Sequence, residues 1–182
     1  MPMELVRQHL SKYLWVCMYY KTSGDIKIFD QQIDRNIREV YRKIGYIVET
    51  PVFYLDFTVK ENLIIYCDYL DCPYSKILIV LDMVGLQNCA GMFVKEMSLG
   101  MKQRLAIGRA LLADPKLLLL DEPINGLDPQ GIKDFRFLMR KINGESGVTI
   151  LISSHILDEV SKIADTIGII HEGRVLSQLP ID

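Results

Sequence analysis

The chain has 182 residues, 49% hydrophobic and 24% charged, a globular composition long enough for one domain or a main domain plus a small subdomain. The net charge of −2, with no basic run or tail, speaks against a nucleic-acid partner held by phosphate neutralisation. Cys17, Cys67, Cys72 and Cys89 form no C-x-x-C and have no histidine at zinc spacing, so they read as buried or neutral thiols of a reducing compartment.

The apolar run Leu14 to Tyr20, bracketed by Lys12 and Lys21, is too short to span a bilayer and lacks a signal-peptide cleavage site. A soluble chain is expected, held at a membrane only through something else. "TSGD" is a turn signal, and "DIKIFD" after it alternates like a strand. "IREVYRKI" has helical spacing and leads into "GYIVE", a short strand. "TVKENLIIYCDYL" and "SKILIVLDMVGL" read as helices, the first opening on Thr58 as N-cap with Glu61 three residues on.

After Met97 the pattern becomes a strict alternation of helix and buried strand. "GMKQRLAIGRALLA" is a helix stopped by Asp114-Pro115, and "KLLLLDEP" is a continuous apolar run ended by acids. "PQGIKDFRFLMRKI" is a helix, "GVTILISSH" a strand, "ILDEVSKIA" a helix, and "DTIGIIHEGRVLSQ" two short strands. This alternation predicts an α/β domain with a mainly parallel sheet. The helix-rich stretch of about 58–97 reads as a subdomain inserted in it.

The strand ending in Asp121-Glu122 carries the most chemistry. Ligands of open parallel sheets sit at the carboxyl ends of the strands. There Asp121 suits Mg²⁺, a hard cation, and Glu122 suits orienting or deprotonating an attacking water. The alternative is a buried strand with a solvated acidic end. Ser98-Leu99-Gly100 stands at a helix start, an anion site by dipole and free N–H groups; alone it is equally a helix cap with a turn glycine. His155 follows a second strand end and suits contact with a terminal phosphate, or a structural role. Asp128 is a site acid or the cap of the next helix, and Glu49 in "YIVETP" is a metal or water ligand or a loop acid.

As an ordered set, Ser98-x-Gly100, Asp121-Glu122, "NGLD" and His155 closely resemble the ATP-binding domain of ABC transporters, over nearly everything from Thr22 to Ser177. The resemblance implies a P-loop NTPase-like three-layer fold and binding of ATP with Mg²⁺. It places Ser98, Leu99, Gly100 and Met101 in the signature motif and Asp121 and Glu122 in Walker B. Asp128 becomes the D-loop acid, His155 the switch histidine, and Glu49 stands at the Q-loop position. Implied partners are a second ATP-binding subunit, packed head to tail, and a membrane permease, which place the chain in the cytoplasm at the inner face of the membrane. The signature "LSGGQ" appears as "MSLGM", and Glu49 replaces the usual glutamine. "ETP" and "SLGMKQRL" look most like bacitracin and lantibiotic exporters.

The family's G-x-x-x-x-G-K-[ST] loop occurs nowhere in the sequence, and the family's strands ahead of that loop are also missing. That loop cradles the phosphates, and its lysine reaches their oxygens. Family spacing puts it at about Met1 to Leu10, so residues 1–21 form an atypical segment ahead of an ABC ATPase domain over 22–182. Read from their third base, codons for Met1 to Leu10 are compatible with A-N-G-A-G-K-T-T-L, with the alanine and first glycine forced. Two accounts stand: an out-of-frame reading of an ordinary P-loop, or coincidence among degenerate codons. As written, the chain is expected to bind ATP weakly or not at all alone. It is then a truncated or inactive exporter subunit, a silent partner donating its signature motif to an intact subunit, or an inert remnant.

Overall fold

The computed structural model describes residues 23–32, 38–47, 51–172 and 174–181. The expectations for the segment Met1 to Tyr20 and for Glu49 lie outside the described residues.

The first described element corrects the sequence expectation. "DIKIFD" is no single strand: β1 (Lys27–Ile28) turns at Phe29-Asp30 into antiparallel β2 (Gln31–Gln32). Both turn residues take positive φ, 53° and 59°, the backbone of a tight two-residue hairpin. Helix α1 (Arg38–Arg42) then leads into β3 (Ile44–Ile47).

Strands β3, β4 (Leu117–Asp121) and β5 (Thr149–Ser153) make a parallel sheet in that order. The register runs from Ile44 opposite Leu117 to Asp121 opposite Ser153. Leu118, Leu119 and Leu120 are all buried, as an apolar run in a central strand requires. Gly45 lets β3 approach its neighbours, since a Cβ there would meet Leu118 Cδ2 at 2.5 Å and the Ala110 carbonyl at 3.1 Å. Among the described residues β5 pairs with β4 only, and β6 (Thr166–His171) and β7 (Arg174–Pro180) form a separate antiparallel pair.

Between β3 and β4 the chain makes helices α2 (Val59–Leu70), α3 (Ser75–Met83) and α4 (Leu99–Leu111). Helix α2 opens with the capping box read from the sequence: the Glu61 amide donates to Thr58 Oγ1 at 3.2 Å, and the Thr58 amide donates to Glu61 Oε2 at 2.7 Å. Its buried side, Val59, Leu63 and Cys67, joins Leu81, Leu105, Leu118 and Leu120 in one apolar cluster. Helix α5 (Pro129–Ser146) adds Phe135, Leu138 and Ile142 to that cluster. It runs one turn beyond the expected end, to a left-handed cap at Gly147. Helix α6 is shorter than its pattern, Leu157–Val160.

Candidate functional site

The acids sit where β4 ends. Asp121 and Glu122 are 3% and 7% exposed, so neither is a solvated strand end. Buried carboxylates need partners, and the neighbouring strand supplies them. Ser153 Oγ donates to Asp121 Oδ1 at 2.5 Å, directly across the β4–β5 register. The Glu122 amide donates to the Ser153 carbonyl at 3.0 Å. His155 Nδ1 lies 2.9 Å from Glu122 Oε2. The Nδ1–H of the ring donates to that carboxylate, while Nε2 of this half-exposed ring accepts in the neutral imidazole and donates in the imidazolium.

Glu122 also departs from ordinary backbone geometry, with φ at 47°. Left-handed backbone is costly for a residue with a Cβ. Here the Ser153 carbonyl fixes its amide, and the Asn125 amide donates to its carbonyl at 3.1 Å.

The serine turn forms a second group. Ser98 caps α4, its Oγ accepting from the Met101 amide at 3.2 Å, and Ser98 and Leu99 are exposed at the helix start. Asp128 caps α5 in the same way, Oδ1 accepting from the Gly131 amide at 3.0 Å, with Pro129 in the first turn. The two capped turns touch. Gly126, at φ 75°, faces Leu99, whose Cδ2 would lie 3.1 Å from a Cβ added there. Gly100, Leu127 and Gly131 line one cavity of about 20 Å³ with Gln103, Arg104 and Phe135.

The structure thus brings Asp121, Glu122 and His155 together, and packs Leu99 and Gly100 against the turn ending in Asp128, with Ser98 and Met101 joined to each other in the same helix start. The first group joins the second through the short connection from Glu122 to Asp128, and no hydrogen bond links Ser98 to either acid among the described residues.

Three further residues emerge that sequence reading did not single out. Ser153 was visible only as the first serine of "ISSH". Asn62, 3% exposed, pins the chain ahead of α2, accepting from the Tyr54 amide at 2.9 Å and donating to the Tyr54 carbonyl at 3.0 Å. Arg109 of α4 stacks between Phe53 and Tyr66, at 4.8 and 4.5 Å from the ring centroids, and donates to the Val52 carbonyl at 2.9 Å. Burial pulls its guanidinium below the ordinary arginine range, opposed by Tyr66.

As donors for a metal, Asp121 and Ser153 offer hard oxygens. Among the described residues no three His, Cys, Asp or Glu side chains converge into a cage. That set fits Mg²⁺, which keeps its waters and takes substrate phosphates rather than a full protein shell.

A family model described as "ABC transporter" matches residues 13–125, more than half of the chain, and one described as "AAA domain, putative AbiEii toxin, Type IV TA system" matches residues 94–161. The bacitracin transport ATP-binding protein BcrA of Bacillus licheniformis is 49% identical over 162 residues, 88% of this chain and 53% of that protein. The lantibiotic transport ATP-binding protein SrtF of Streptococcus pyogenes is 45% identical over 162 residues, 89% of this chain and 69% of that protein. Among solved structures, cbiO1 from Clostridium perfringens, part of the ABC transporter complex cbiONQ, superposes with a TM-score of 0.84 at 26% identity, over 96% of this chain and 71% of that one. The chain therefore spans about half the length of several curated relatives it matches. With its parallel sheet, buried carboxylates and serine-capped helix in place, the chain belongs to the ABC transporter ATP-binding family.

Proposed function

We propose that the chain works as an ATP-binding subunit of an exporter of peptide antibiotics, bacitracin- or lantibiotic-like, seated at the inner face of a membrane through a permease. Among the described residues no helix is long and apolar enough to cross a membrane, so the permease supplies the passage. The observation carrying this reading is the Glu122–His155 pair at 2.9 Å beside the Asp121–Ser153 pair, on one edge of the sheet.

In this reading Glu122 orients the attacking water and takes its proton on the carboxylate. His155 holds that carboxylate through Nδ1–H and, as the imidazolium, has Nε2–H to donate to the terminal phosphate. Asp121, fixed by Ser153, is the Mg²⁺-side carboxylate. Mg²⁺ brought in with ATP would neutralise charge on the phosphates.

The 182 residues hold no G-x-x-x-x-G-K-[ST]. A phosphate cradle supplies several charge-assisted hydrogen bonds, each worth roughly 1.5–3 kcal/mol. Without them micromolar ATP affinity is out of reach. The exposed serine turn has a use without that cradle: Ser98 and Gly100 complete the ATP site of a subunit facing them.

The test is complementation. A relative with an intact P-loop, its own signature serine replaced by arginine, is mixed with this chain. Recovery of Mg-ATP hydrolysis, lost again with Ser98→Arg, supports the reading; no recovery, or tight Mg-ATP uptake by this chain alone, overturns it.

A further inference from the structure

Helix α2 ends in a chain reversal at Asp71, whose backbone is left-handed at φ 54°. Across it the Cys72 amide donates to the Cys67 carbonyl at 3.0 Å. This six-to-one closure places the residue in the last turn of a helix against the residue just past the reversal, ordinarily as an apolar contact. Here both residues are cysteines. A direct N–H···O=C bond also keeps their Cα atoms within about 7 Å, the range a disulfide bridges. Cys67 is fully buried and Cys72 half-buried, and neither is in a disulfide. Burial, then the hydrogen bond to Cys72, pushes the Cys67 thiol up to about 12.

We propose that Cys67 and Cys72 form a disulfide-forming dithiol, a modification site that covalently closes the end of α2 on meeting a low-molecular-weight disulfide such as oxidised glutathione. Cys72, the accessible partner, attacks one glutathione sulfur as a thiolate and releases the first glutathione. Cys67 loses its proton to solvent, attacks the Cys72 sulfur of the mixed disulfide and expels the second. Two protein thiols lose two electrons and two protons, and one glutathione disulfide becomes two thiols. The second step is the slow one and quickens with pH, because Cys67 ionises only with difficulty. The reversal leads into α3, whose Lys76 holds the Leu112 carbonyl at 3.2 Å and pairs with Asp114. The link therefore stiffens a joint shared by α2, α3 and the end of α4.

The test treats the full chain with oxidised glutathione, alkylates the remaining thiols and digests with trypsin. Both cysteines fall in one peptide, Glu61 to Lys76. Expected is a peptide lighter by two hydrogens, carrying neither alkyl group nor glutathione, and formed faster as pH rises. Cys67→Ala should instead keep glutathione on Cys72, and Cys72→Ser should leave Cys67 unreacted until unfolding. Lasting glutathione on Cys72 of the unsubstituted chain, both thiols still free, or pairing with Cys17 or Cys89 would each overturn the proposal. The unsubstituted chain decides the matter even if a variant fails to fold.

Discussion

His155 and Glu122 meet across the carboxyl edge of the sheet, Nδ1 to Oε2 at 2.9 Å, the carboxylate buried and the imidazole half exposed. A contact of this kind fixes where a basic oxygen points while leaving the second ring nitrogen available. Its catalytic weight is measurable once a phosphate cradle is present. In a chimera carrying the P-loop portion of BcrA ahead of this domain, Glu122→Gln is expected to lower kcat by roughly 10²–10⁴ with ATP binding retained. Steady-state hydrolysis and nucleotide titration read the two effects separately.

Ser98 and Asp128 carry structural weight as well. Each accepts an amide hydrogen in the first turn of its helix, at 3.2 and 3.0 Å. Ser98→Ala and Asp128→Ala should each cost about 0.5–2 kcal/mol in urea unfolding. Asp128→Asn should cost much less. Any loss of complementation by Ser98→Ala must be compared with this baseline.

The capping box of α2 makes stability depend on pH. Glu61 is held below the ordinary carboxylate range, chiefly by the Thr58 backbone bond and then by the Thr58 side chain. A depressed folded-state pKa gives stability that is fully present above the unfolded value, near 4.5. It is lost as pH falls through the folded value. Glu61→Gln should therefore melt lower than the unsubstituted chain at neutral pH, the gap narrowing as pH drops below that point. Parallel melts across the acid range give the comparison.

Arg109 should not tolerate lysine. A flat guanidinium stacks on Phe53 and Tyr66 and still donates to Val52, a combination an ammonium does not reproduce. Arg109→Lys is expected to cost about 1–3 kcal/mol and to speed amide exchange in residues 53–55. Hydrogen exchange by mass spectrometry resolves that segment.

The parts of this molecule legible in its sequence are those written locally. Thr58 with Glu61, Ser98 and Asp128 announce helix starts because a cap is a matter of three or four residues. "LLLLDE" announces a buried strand because only an interior strand tolerates such a run. The hairpin at Phe29-Asp30 was hidden because it lacks the usual Asn-Gly or Asp-Gly turn, and phenylalanine rarely takes positive φ. Contacts such as Ser153 to Asp121 and Arg109 to Phe53 join distant positions, and no spacing rule reveals them. The frayed pattern of α6 shows the converse: helical spacing without buried contacts yields only Leu157–Val160.

The left-handed backbone of Glu122 sets two demands on one position against each other. A glycine there would relax the main chain at once, yet would erase the carboxylate that His155 orients. Random mutagenesis screened only for thermal resistance should therefore keep finding substitutions at this residue. Selection for ATP hydrolysis in the chimera that restores a phosphate cradle should keep discarding them.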